Sequence, residues 1–200
     1  MRIKTEAKRR EIIDAAALEF GARGYHKTTL ADVARRMGSS KATIYNYYKT
    51  KDELLAASLA EKAIPAAGAL LSALAGNERF ECRLNDFAKR YLAMHTSQHA
   101  VSIQRLVVAE KIQARQIIDA IEANAGPRLW PAVAACFTEA QAAGALREGS
   151  IDQIVYHFRA LLSDLPYRLL IGSIDGVSES IVDRSAEAAV ECILAAYGAR

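Results

Sequence analysis

Between Gly21 and Glu53 the chain alternates residues that end helices with residues that begin them. Gly21, Gly24 and Gly38 supply stops; Thr28-Thr29, Ser39-Ser40 and Thr50 supply side-chain oxygens that can cap the next start. Thr50 is followed three residues later by Glu53, the spacing of a capping box. The stretches between these marks are too short to persist alone, since isolated helices under about 12–15 residues are marginal in water. They must bury apolar faces on one another. A small bundle of short helices is therefore the first constraint on the fold.

Ile12, Ala15, Ala16 and Phe20, with Leu18 and Glu19 one residue off, predict an apolar stripe on a first helix that ends at Gly21–Gly24 in a left-handed glycine cap. Thr28-Thr29 start a second helix through Leu30, Val33 and Ala34 to Met37, and a third spans about Lys41 to Tyr48. Two short helices separated by a glycine-containing turn form a helix-turn-helix pattern. Thr50 opens a fourth, which makes the junction near residue 51 helical rather than a tether.

The rest of the chain also reads as helix, divided by Pro65, Gly76-Asn77, Gly126-Pro127, Gly144, Gly149 and Gly172–Gly176. Residues 151–171 place Ile154, Val155, Phe158, Leu161, Leu162, Leu165 and Leu169 at helical spacing. Residues 180–197 do so with Val182, Ala186, Ala189, Val190, Ile193, Leu194 and Tyr197. Alternating strand patterns are rare, so the expected fold class is all-α.

Charge separates the two ends. Residues 1–51 hold twelve Lys and Arg against five Asp and Glu, and residues 52–200 hold fourteen against eighteen. A basic head on a mildly acidic body suggests nucleic-acid binding in 1–51 and a different task in 52–200. No apolar run is long enough for a membrane span and the N-terminus lacks a signal-peptide core, so the expected location is cytoplasmic. Cys82, Cys136 and Cys192 are widely spaced and odd in number, which fits reduced, partly buried thiols.

The third helix has an uneven face. At about 100° per residue, Ile44 and Tyr48 share one side and suit a core. Ala42 and Asn46 share the opposite side with Thr43 beside them, while Tyr45 and Tyr47 fall on the flanks. Small residues permit close approach to a major groove, and Lys41, Thr43 and Asn46 can reach base edges. Tyr45, Tyr47 and the neighbouring lysines can hold phosphates on either wall. Thr28, Thr29, Ser39 and Ser40 stand at helix starts, where exposed N–H groups favour an anion.

His95 and His99 are four apart and could meet a metal on one helix face, but no Cys, Asp or Glu stands at matching spacing. No metal site or cofactor is expected. With no nucleophile motif, glycine-rich phosphate loop or carboxylate pair, neither is an enzyme.

Residues Ile12 to Leu55, IIDAAALEFGARGYHKTTLADVARRMGSSKATIYNYYKTKDELL, resemble the TetR family of transcriptional regulators. The marks are Phe20-Gly21-x-x-Gly24-Tyr25, Thr28-Thr29, Leu30 with Val33, and Ser40-Lys41-x-x-Ile44-Tyr45-x-Tyr47-Tyr48-x-x-Lys51. The resemblance implies a helical homodimer that binds a double-stranded operator, with a small-molecule effector acting on the C-terminal domain. It assigns phosphate contacts to Thr28, Ser40, Tyr45, Tyr47 and Lys51, and base contacts to Lys41, Ala42, Thr43 and Asn46. Two positions depart from the common pattern: Ala42 replaces a frequent Gly, and Tyr48 a frequent Phe.

Residues 80–172 are more loosely similar to one C-terminal subgroup of that family, which implies a four-helix dimer interface built from residues 151–172 and 180–197. Its expected members are Phe158, Leu162, Leu165, Leu169, Val182, Ala186, Val190 and Ile193, the alternative being that both helices complete the monomer core. By the same analogy, Tyr91, His95, Arg105, Trp130, Phe137, Tyr156 and Phe158 are the expected lining of a mainly apolar effector pocket. The expected function is a ligand-responsive regulator, most often a repressor in such a family. The alternative is a small-molecule-binding or protein-interaction module that recognises no operator.

Overall fold

A computed structural model describes residues 5–109 and 126–199. Among them are nine helices: α1 (Glu6–Lys27), α2 (Leu30–Arg36), α3 (Lys41–Tyr47), α4 (Lys51–Leu74), α5 (Phe80–Thr96), α6 (Gln98–Ala109), α7 (Gly126–Ala142), α8 (Ile151–Leu170) and α9 (Glu179–Tyr197). The all-α expectation holds. The only strand-like pairing among the described residues is an isolated antiparallel bridge between Leu146 and Gly198.

The chain divides into two compact units, one built on the N-terminal stretch through Pro65, the other on Ala66–Arg105 and Gly126–Arg200. Pro65 does not break the chain as expected, because α4 runs through it. Residues 48–50 separate α3 from α4, and α4 begins at Lys51, so the chain is helical at the junction near residue 51 as expected.

The first unit is organised around Ile12, Ile13, Ala16, Leu30, Val33, Ile44, Tyr48 and Leu54. Two expectations for α1 change. Leu18 is 60% exposed, whereas Glu19 is buried as an ionic group rather than as part of an apolar stripe. Gly24 has φ 76° and ψ 164°, a more extended conformation than a left-handed cap and one that essentially only glycine adopts. It ends the regular part of α1 and leaves a short turn before α2.

In the second unit α5 packs on α8 and α9, α9 on α8, and α8 on α7. The fully buried rings of Phe87, Phe137 and Phe158 occupy the centre. Each contributes about 1.5–3 kcal/mol by leaving water. Arg147 and Ala199 close the chain end, the Arg147 N–H donating to the Tyr197 carbonyl at 2.8 Å and the Ala199 N–H to that of Ala145 at 3.1 Å. Cys136 is buried, but Cys82 and Cys192 are free thiols at the surface, contrary to the partly buried reading.

Candidate nucleic-acid interface

α2 is held at its start by a complete capping box. The Thr29 side chain accepts from the Asp32 N–H at 3.2 Å, and the Asp32 carboxylate accepts from the Thr29 N–H at 2.9 Å. Bonds from the Thr29 hydroxyl and backbone, then from Arg35, hold the Asp32 carboxyl well below the usual carboxylate range. Arg23 reaches the same carboxylate at 3.0 Å, and Arg36 meets Glu19 at 2.7 Å. These ion pairs tie α2 to α1. Sequence reasoning missed them by assigning Glu19 to an apolar stripe, although Arg23 stands one helical turn after it.

Met37 closes α2, Gly38 turns the chain at φ 58°, and Ser40 caps α3 by accepting from the Thr43 N–H at 3.2 Å. Ile44 and Tyr48 then face inward at 0% and 8% exposure, as the wheel predicts. Ser40, Lys41, Ala42, Tyr45 and Asn46 are exposed, with Ser39, Thr43 and Tyr47 half-buried. One short helix thus presents the small, hydrogen-bonding face expected of it. Thr29 is exposed at the start of α2.

Three of the expected phosphate contacts are engaged inside the chain. Thr28 is buried, and its hydroxyl donates to the Gly24 carbonyl at 2.8 Å and to that of Glu19 at 3.2 Å, which turns it away from solvent. Lys51 donates to the Tyr25 carbonyl at 2.9 Å and lies 4.0 Å from the centre of the Tyr25 ring. The Tyr25 hydroxyl in turn donates to Asp52. The Tyr47 hydroxyl accepts from the Thr5 N–H at 3.0 Å, though its ring remains at the surface margin.

The proposed effector residues separate similarly. Tyr91, His95 and Trp130 do meet: the ring centres of Tyr91 lie 4.3 Å from His95 and 5.6 Å from Trp130. Gln104 stands 3.3 Å from His95 Nδ1, and Arg159 lies 5.1 Å from the centre of the Trp130 ring; neither was expected from the sequence. Burial pushes His95 down to about 4 and raises the Tyr91 phenol. Phe137 and Phe158 are closed into the core. Tyr156 points away at 69% exposure, because it sits on the outer face of α8. Arg105 is committed to the end of α8, donating to the Leu169 carbonyl at 2.7 Å and to that of Leu170 at 3.2 Å. The side chain of His99 lies outside those described, and no group of three metal-ligating side chains gathers among the described residues.

All eight expected interface side chains are buried inside one chain, from Phe158 and Ala186 at 0% to Val182 at 7%. Amphipathic periodicity marks the buried side of each helix, and here that side is the chain's own core. The opposite faces of α8 and α9 carry exposed Ala160, Leu161, Asp164, Cys192 and Ala196, which line a groove of about 480 Å³.

Family comparison agrees with this geometry. Residues 12–58 match the model of bacterial regulatory proteins of the tetR family, and residues 82–199 match the C-terminal domain of AefR-like transcriptional repressors. The chain belongs to the TetR family. As a TetR-family protein it is a DNA-binding transcriptional regulator. Among curated relatives, the fatty acid metabolism regulator protein of Bacillus subtilis (strain 168) is 36% identical over 52 residues, 26% of this chain and 27% of that protein. The regulator HbdR of Aromatoleum sp. (strain CIB) is 40% identical over 50 residues, 25% of this chain and 22% of its own length. The chain thus spans about a quarter of the length of these curated relatives. A solved TetR-family regulator from Mesorhizobium loti superposes with a TM-score of 0.83 at 26% identity, over 98% of this chain and 100% of that one. No helix among the described residues is long and apolar enough to cross a membrane.

Proposed function

We propose that this TetR-family regulator is a homodimeric repressor that a small molecule releases from an inverted-repeat operator. Residues 1–51 are the reading head and residues 52–200 the effector-binding and dimerising body. Lys41, Ala42, Thr43 and Asn46 face bases in the major groove, while Ser39, Ser40, Tyr45, Tyr47 and the α2 start at Thr29 face phosphates. Thr28 and Lys51 support the head from within. The observation that carries the reading is the two-sided α3: Ile44 and Tyr48 are anchored inward, and an unbroken polar, small-residue face is left outward.

The effector site is centred on Tyr91, His95 and Trp130, where aromatic rings meet polar side chains. The dimer forms through the outer faces of α8 and α9, whose exposed Leu161 and Ala196 favour burial. An effector acts by binding more tightly to the conformer whose heads do not fit the operator.

Selection of bound sequences from a random duplex pool tests this reading. An inverted repeat with half-sites spaced for two heads is the expected product. A folded dimer that enriches no motif would instead make the chain a binding module without an operator.

A further inference from the structure

Among the described residues of the head, two buried side-chain oxygens have no hydrogen-bond partner, Glu19 Oε2 and the Tyr48 hydroxyl. Glu19 Oε2 faces Arg23 at 3.8 Å, whereas the Tyr48 hydroxyl has no such ion pair. Tyr48 is 8% exposed, and its Oη is buried without a hydrogen-bond partner among the described residues. A phenol placed so loses the water it bonds in the unfolded chain and gains nothing in return, whereas phenylalanine would fill the same core without that loss. Burial also raises the phenol's pKa, so the group is a neutral donor.

Beside it lies a cleft of about 190 Å³ lined by Thr5, Glu6, Arg9, Tyr47 and Tyr48. One water takes about 30 Å³ in the liquid, so there is room for it, and the walls are polar. Arg9 donates to Glu6 at 2.9 Å and stands 3.7 Å from Glu61, while the Thr5 N–H donates to Tyr47 at 3.0 Å. Arg10 also pairs with Glu61, at 3.3 Å. Two guanidinium groups are thus matched by two carboxylates, which favours a neutral occupant over an ion.

We propose that this cleft binds an ordered water that bridges the Tyr48 hydroxyl to the Arg9–Glu6 pair, making that hydroxyl a positioning group that ties the end of α3 to the start of α1. The link matters because Tyr48 is the last anchor of α3, its N–H donating to the Ile44 carbonyl at 2.9 Å. A hydrated seam at that point fixes the rotation of the exposed face about the helix axis. The site is a property of the folded head and does not depend on which DNA the head reads.

Native-state hydrogen exchange on the full chain tests it. Tyr48→Phe should speed exchange of the Ile44 and Tyr48 amides about five-fold, the effect of one net hydrogen bond. In an Arg9→Met background the same change should have almost no effect. Unchanged or slower exchange in Tyr48→Phe, or an equal effect in both backgrounds, overturns the bridge. A high-resolution crystal structure decides the site independently. Water within hydrogen-bonding distance of Tyr48 Oη and of Arg9 or Glu6 supports it, and no water there overturns it.

Discussion

The Arg36 guanidinium lies 2.7 Å from the Glu19 carboxylate and joins α2 to α1 through a side chain that is 10% exposed. Arg23 approaches the other oxygen at 3.8 Å, beyond hydrogen-bond length. Arg36→Met keeps the aliphatic stem but leaves that buried charge poorly compensated. We expect the head to lose about 2–3 kcal/mol, less than for a fully buried pair because Arg36 itself is partly solvated. Urea denaturation of the full chain measures this. A loss under about 0.5 kcal/mol would place the pair among ordinary surface contacts.

Thr28 and Tyr45 should separate stability from DNA binding. Thr28→Val deletes a hydroxyl that bonds two carbonyls inside the head, and should cost about 1 kcal/mol of stability. DNA affinity should stay within about two-fold at a temperature where the head is folded. Tyr45→Phe removes an exposed hydroxyl, so stability should hold within about 0.5 kcal/mol. Affinity should fall about ten-fold on every duplex, as for one lost bond to a charged group. Paired melts and duplex titrations at fixed salt check both, and the reverse pattern would put Thr28 on the DNA.

His95 should make the body sensitive to acid. Burial lowers its folded-state value to about 4 against an ordinary 6.5, so the neutral ring belongs to the folded chain and protonation favours unfolding. The stability it contributes is complete above about pH 6.5 and is lost as pH falls toward 4. The difference amounts to roughly 3 kcal/mol at about 1.4 kcal/mol per unit. His95→Gln should flatten that part of the profile. Urea midpoints of both proteins between pH 7 and pH 4 provide the measurement, and parallel profiles would mean that His95 is hydrated.

Leu161 and Leu162 are neighbours with opposite environments, 40% and 0% exposed. Leu162→Ala should cost about 2–5 kcal/mol in melting experiments and leave the sedimentation of the folded protein unchanged. Leu161→Glu should keep helical content but shift the protein to monomer in sedimentation at micromolar concentration. Dimeric Leu161→Glu would move the interface off the outer face of α8.

The head was legible because its signals are local. Caps, glycine stops and the 3.6-residue period act within a few residues, so Thr29, Gly38 and Ser40 could be assigned from their neighbours alone. The ion pairs were not legible in the same way. Glu19 and Arg36 are neighbours only after α1 and α2 pack, and an apolar stripe tolerates a charged member once a partner from another helix reaches it. Tyr156 was misassigned for a related reason: an aromatic residue two positions before a core Phe reads as core, but on a helix two positions is a half-turn away.

The order of amino acids alone determined that the chain is helical, where the short helices of the head begin and end, and which side of α3 turns inward. Each follows from backbone capping and from the burial of apolar groups at helical spacing. Tertiary structure decided which buried faces belong to the chain's own core. Phe158, Leu162, Val190 and Ile193 look equally suited to a partner's surface or to their own chain, because apolar burial has no address in sequence. Only the packing of α5, α7, α8 and α9 closes those side chains inside one molecule and leaves Leu161, Cys192 and Ala196 facing outward.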